Sequence, residues 1–129
     1  MARILLTEDD ESVRAFVKRA LELDGHDITE AEDGGIALEI LGARKGGFDL
    51  LLSDIMMPVM DGIALALNVA RDHPGLAILL MTGFADQRER AFGLDSLVSD
   101  VISKPFTLSE IRAAVDRALA GRPVAEKIA

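Results

Sequence analysis

Two segments, Phe48 to Ser53 and Leu76 to Met81, constrain this chain more than anything else in it, because each carries a run of consecutive apolar residues with no alternation. A strand with one wet face alternates apolar and polar side chains, whereas a strand apolar at successive positions has to be covered on both sides. Such sheets are built from parallel strands, and every parallel crossover needs a helix. The rest of the chain supplies those parts. Ile4 to Thr7 reads as a further strand, Asp27 to Ala31 as a weaker one and Asp100 to Ser103 as the last. Between them, Ser12 is placed to cap a helix whose apolar face is Val13, Phe16, Val17, Ala20 and Leu21 and which ends at Gly25. Gly34 to Leu41 forms a short helix closed by Gly42, and Gly62 to Arg71 another, stopped by His73-Pro74-Gly75. A short irregular helix is expected within 86–98, and a Thr107/Glu110 capping box opens the final one, with Leu108, Ile111, Val115 and Leu119 on its apolar face. Strands alternating with helices in this way predict an α/β fold, a doubly wound five-stranded parallel sheet.

A length of 129 residues suits one core and leaves no room for an output domain of similar size. We therefore expect one domain over residues 1–121 and a flexible tail over 122–129. The formal net charge of −8 would repel a phosphate backbone, so nucleic acid is excluded as a direct partner and proteins are favoured. With no cysteine, a disulfide framework or thiolate metal site is impossible, and a reducing cytoplasm is the expected location. No apolar stretch approaches the roughly 18 residues that span a bilayer, so no membrane association is expected.

In an open parallel sheet, ligands gather outside the carboxyl ends of the strands. Reading only the residues found there, the first strand presents Glu8 and Asp9, the third Asp54, the fourth Thr82 with Gly83, and the fifth Lys104-Pro105. Three carboxylates about 5 Å apart repel by roughly 3 kcal/mol per pair at an effective dielectric of about 20. A divalent cation removes that conflict, and oxygen-only ligation favours Mg²⁺. Such a cation bridges a phosphoryl group to Asp54, whose carboxylate is then placed as a nucleophile able to carry an aspartyl phosphate. Lys104 would balance charge on the phosphoryl oxygens, Thr82 would donate a hydroxyl hydrogen bond, and Gly83 would leave space and a free N–H. Each of these residues taken alone has an ordinary structural reading as a turn acid, a cap or a surface amine. Their order, strand-end placement and complementary chemistry together do not.

The set Glu8-Asp9, Asp54 within Leu-Ser-Asp-Ile-Met-Met-Pro, Met60-Asp61-Gly62, Met81-Thr82-Gly83 and Ser103-Lys104-Pro105-Phe106 resembles the receiver domain of two-component response regulators over about residues 3–120. Within that family the chain is similar to single-domain regulators of the CpdR type from alphaproteobacteria. The resemblance implies a flavodoxin-like, CheY-like sheet in the order 2-1-3-4-5, with Asp54 as phosphoacceptor and a Lys104-Pro105 bond in cis. It also implies Mg²⁺ held directly by Asp9 and Asp54, by Glu8 through water, and by the backbone carbonyl of Met56. The implied donor is a histidine kinase or histidine phosphotransferase, docking at Val13, Arg14 and the Pro105-Phe106 loop. The implied output is a phosphorylation-controlled protein contact, with an AAA+ protease as one partner type. Three departures from the usual pattern follow from the same comparison. Val101 stands where receivers often carry an aromatic rotor, and Met56 and Phe84 flank the path of a hydrolytic water without a group to orient it, so a long-lived phosphoaspartate is expected.

Other readings make the chain a phosphate shuttle or sink without a regulated target, or a Mg²⁺-dependent phosphohydrolase. The latter lacks a second acid two residues past Asp54, where Met56 stands, to protonate a leaving group. His26 and His73 read as turn or surface residues near helix ends, and Asp61 as a helix cap.

Overall fold

A computed structural model describes residues 2–45, 47–83 and 97–121. Five parallel strands form one sheet: β1 (Arg3–Thr7), β2 (Asp27–Ala31), β3 (Leu50–Asp54), β4 (Ala77–Thr82) and β5 (Asp100–Ser103), in the order β2-β1-β3-β4-β5. Four helices lie among the described residues: α1 (Glu11–Glu22), α2 (Gly34–Ala43), α3 (Gly62–Asp72) and α4 (Leu108–Ala120). The irregular helix expected within 86–98 falls mostly on residues 84–96, outside the described residues, as does the tail 122–129.

The all-apolar strands explain the layering. Along β1, Leu5 faces a core shared with Leu41 of α2 and with Leu65 and Val69 of α3. Its neighbours Ile4 and Leu6 face the opposite core, shared with Val17 and Leu21 of α1 and with Ile111 and Val115 of α4. The same alternation sends Leu51 to one side of β3 and Leu50 and Leu52 to the other. Every residue of β3 and β4 is buried. Each fully covered leucine or isoleucine contributes about 1.5–3 kcal/mol of burial, and splitting them between two faces is what forces helices onto both.

Several local expectations shift. The cap of α1 is Asp10 and not Ser12: Asp10 has extended backbone, and its carboxylate accepts from the N–H groups of Ser12 (2.9 Å) and Val13 (3.2 Å). An ionised acceptor at a helix N-terminus also complements the helix dipole, which the hydroxyl of Ser12 cannot do. Phe16, assigned to the apolar face, is 42% exposed. Helix α2 runs through Gly42 to Ala43 instead of closing at it. β3 starts two residues later than the apolar run and ends on Asp54 itself. The capping box at Thr107/Glu110 and the Asp61 cap of α3 form as expected.

Candidate functional site

The chain passes from β1 outward to β2 and then back across β1 to β3, so β1 and β3 are neighbours while their crossovers cover opposite faces. That reversal opens a crevice between their carboxyl ends. Glu8 leaves β1 there, and Asp54 ends β3 in register with Met81 of β4. Carboxylate oxygens of Glu8, Asp9 and Asp54 all lie within 4.8 Å of one another. Glu8 and Asp54 are buried and Asp9 is exposed.

Lys104, carried from β5, reaches into this cluster. Its Nζ is 2.8 Å from Glu8 Oε1 and 3.2 Å from Asp54 Oδ1. The approach to Glu8 spans 96 residues of sequence, and nothing local predicts it. The Lys104-Pro105 bond is cis, as the resemblance implied. Burial pushes both the Glu8 and Asp54 carboxyls above the usual carboxylate range, against the pull of Lys104, and the neighbouring acids push in the same direction as burial. Burial works to lower the Lys104 value, but hydrogen bonding to Glu8 and the charges of Asp54 and Glu8 raise it, so the ammonium stays charged. Thr82 ends β4 at 2% exposure.

The residues around the cluster divide. Asp10 belongs to the helix cap and also braces the cluster, since its N–H donates to Glu8 Oε2 at 3.1 Å. Among the described residues nothing stands within 4 Å of where a Cβ on Gly83 would go, so the space expected there is open. At Gly62 a Cβ would stand 2.2 Å from the Asp54 carbonyl oxygen, so that position needs a glycine. Its N–H donates to the Ile55 carbonyl at 2.7 Å, which closes the loop after β3 onto the start of α3. In that loop Val59 holds φ at +70°, a costly angle for a β-branched residue. Met57 is buried, while the Met56 side chain is 54% exposed. Phe84 lies outside the described residues.

Ser12, Val13, Phe16, Gly83, Lys104, Pro105 and Phe106 line an open cleft of about 520 Å³ beside the cluster. Phe16 and Phe106 face each other across it with ring centroids 6.4 Å apart. Arg14, expected at this edge, turns away from solvent. Its side chain is 14% exposed and bonds the Glu8 carbonyl and Glu30. Sequence reasoning missed that role because it depends on β2 lying beside β1.

A second group, Asp24, His26 and Asp116, also brings potential ligand atoms within 4.8 Å. It is not built for a metal. His26 Nδ1 accepts the Ala2 N–H at 3.0 Å, so in the neutral ring Nε2 carries the hydrogen and has no lone pair to offer. Asp24 is already held by the Arg112 guanidinium.

A parallel sheet covered by helices on both faces, with three acids and a lysine at its switch point, defines a class, and the chain belongs to it: residues 4–116 match the response regulator receiver domain family. Receiver domains are phosphoacceptors of two-component signalling and not conventional enzymes. The response regulator receiver protein CpdR of Brucella abortus is 40% identical over 92% of this chain and 98% of its own length. The response regulator MprA of Mycobacterium leprae is 37% identical over 93% of this chain, which spans only 51% of that protein. Among solved structures, a CheY-like receiver protein from Methanospirillum hungatei superposes with a TM-score of 0.83 at 27% identity, covering 93% of this chain and 94% of that one. The response regulator TrrA of Thermotoga maritima, solved in complex with Mg²⁺-BeF, gives 0.80 at 27% identity over 92% of this chain and 99% of that one. Among the described residues no helix is long and apolar enough to cross a membrane.

Proposed function

We propose that this chain is a phosphorylation switch in which Asp54 takes a phosphoryl group from the phosphohistidine of a histidine kinase or histidine phosphotransferase. The observation that carries this reading is the convergence of Glu8, Asp9 and Asp54 within 4.8 Å with one ammonium on both buried acids. An Asp54 carboxylate oxygen forms the new bond to phosphorus as the phosphorus–nitrogen bond to the donor imidazole breaks, the bonding pair leaving with the ring. Lys104 neutralises charge on the transferred group, and the Thr82 hydroxyl donates to one of its oxygens. The oxygen-only donor set of Glu8, Asp9, Asp54 and the Met56 backbone carbonyl fits a hard divalent cation, and Mg²⁺ is the reading for it. When bound, that cation supplies positive charge at the phosphoryl oxygens.

The donor docks at the apolar cleft of Val13, Phe16, Pro105 and Phe106, which lies beside Lys104. Residues 1–121 act as the receiver unit, and the output is a protein contact that changes with phosphorylation. An AAA+ protease is the partner type that the likeness to CpdR favours. The working compartment is the cytoplasm.

Phosphotransfer from candidate phosphorelay proteins to wild type and Asp54→Asn, read by intact mass, tests the acceptor. Wild type should gain one phosphoryl group and the variant none; label on the variant would defeat the assignment. Affinity capture with both phosphorylation states then separates a regulated contact from a phosphate sink.

A further inference from the structure

We propose that Arg14 is a positioning residue that holds the peptide joining Glu8 to Asp9, and so presets the acidic cluster for its cation. The proposal rests on the reading of Glu8, Asp9 and Asp54 as a Mg²⁺ site. The guanidinium is mostly covered, with its side chain 14% exposed, and makes two contacts in different directions. Nη1 donates to the Glu8 backbone carbonyl at 2.9 Å, and Nε donates to Glu30 Oε1 on β2 at 3.2 Å. The other Glu30 oxygen accepts from Lys18 of α1 at 3.2 Å, so Glu30 is itself braced.

The Glu8 carbonyl is a telling place for such a bond. It belongs to the planar peptide unit that includes the Asp9 nitrogen and Cα, so fixing this oxygen fixes where Asp9 begins. On the other side of the residue, the Glu8 N–H donates to the Ala31 carbonyl at 3.1 Å. Its side chain accepts the Asp10 N–H at 3.1 Å and the Lys104 ammonium at 2.8 Å. Glu8 is thus held at N–H, carbonyl and carboxylate, while the exposed Asp9 takes its position from the peptide that Arg14 grips. A planar fork can bridge a carbonyl and a carboxylate at once; a lysine ammonium on a flexible stem does not reproduce that geometry. Charge alone would act the other way, because a nearby cation repels a cation. The sign of the effect therefore separates positioning from electrostatics.

The test uses the full chain as wild type, Arg14→Gln, Arg14→Lys and Glu30→Gln. Mg²⁺ binding is followed by NMR titration without any phosphodonor. Amide hydrogen exchange at Asp9 and Asp10 is followed without metal. Loss of an outer group that orients metal ligands typically costs 10–100-fold in affinity, and we expect Arg14→Gln to weaken Mg²⁺ about tenfold. Arg14→Lys should recover only part of this, and Glu30→Gln should shift affinity in the same direction by less. Exchange at Asp9 and Asp10 should quicken in Arg14→Gln. Phosphorylation by phosphoramidate, a donor with no docking surface, should return close to wild type at saturating Mg²⁺. Unchanged or tighter Mg²⁺ binding in Arg14→Gln overturns the proposal, as does a defect confined to protein donors, which would make Arg14 a docking residue. Should wild type bind no Mg²⁺ at these acids, the site reading fails on its own. Unchanged exchange in Arg14→Gln then overturns the role of Arg14, and quickened exchange upholds its grip on the peptide.

Discussion

Replacing Asp54 by asparagine should make the metal-free protein more stable, although it removes the reacting group. Glu8 and Asp9 each place a carboxylate oxygen within 4.8 Å of one on Asp54, a repulsion of about 3 kcal/mol apiece at an effective dielectric of about 20. Water screens the share of the exposed Asp9, so the Glu8 pair carries most of it. Against this, the Lys104 ammonium at 3.2 Å from Asp54 attracts it by about 5 kcal/mol on the same scale. The attraction exceeds the unscreened repulsion by about 2 kcal/mol, and the burial of the charged carboxyl, the largest influence raising its pKa, outweighs that difference. Asparagine keeps the shape, avoids that desolvation and can donate its amide hydrogens to Glu8 or Asp9. We expect a gain of about 1–2 kcal/mol, or about 4–8 °C in melting temperature for a domain of this size. The assay is thermal unfolding by circular dichroism in a chelating buffer at pH 7.5, repeated in saturating Mg²⁺. Mg²⁺ should raise wild type by mass action and the variant much less, which closes the gap. A variant that melts at or below wild type without metal would show that Lys104 more than compensates the crowded acids, and the strain argument would be wrong.

The pH profile follows from the same groups: because the folded-state pKa values of Glu8 and Asp54 are raised, the folded form binds more protons than the unfolded one between the ordinary and the raised values. Metal-free stability should therefore fall as pH rises through that window, and Asp54→Asn should flatten the fall in melts across pH 4–8. Gly62→Ala should cost about 3 kcal/mol or more, since its new Cβ would stand 2.2 Å from the Asp54 carbonyl oxygen, and chemical denaturation reads this directly. Asp10→Ala should cost about 1 kcal/mol through loss of the α1 cap while Ser12→Ala costs a few tenths, a ranking that equilibrium denaturation would reverse if Ser12 were the cap. Phosphoaspartate on the purified protein should persist for many minutes in Mg²⁺, because the exposed Met56 offers no strong hydrogen bond to orient a water; loss within seconds, followed by intact mass, would contradict this.

Sequence alone determined the architecture, because runs such as Leu50-Leu51-Leu52 admit no wet face and force helices onto both sides of a parallel sheet. It also singled out the acids, the threonine and the lysine, since residues that follow buried strands must emerge at one edge. Local order failed where several groups compete for one job, as at the start of α1, where Asp10 and Ser12 both suit a cap and the ionised acceptor takes it. Pairing over distance is set by the three-dimensional packing. Lys104 and Glu8 meet across 96 residues, and Arg14 joins Glu8 to Glu30 because β2 lies beside β1. Gly62 has to be a glycine because of how closely α3 approaches the end of β3. Patterning dictates which residues reach an edge, since burial is a property of each segment. Which of them touch depends on strand order and helix approach, which no single segment encodes.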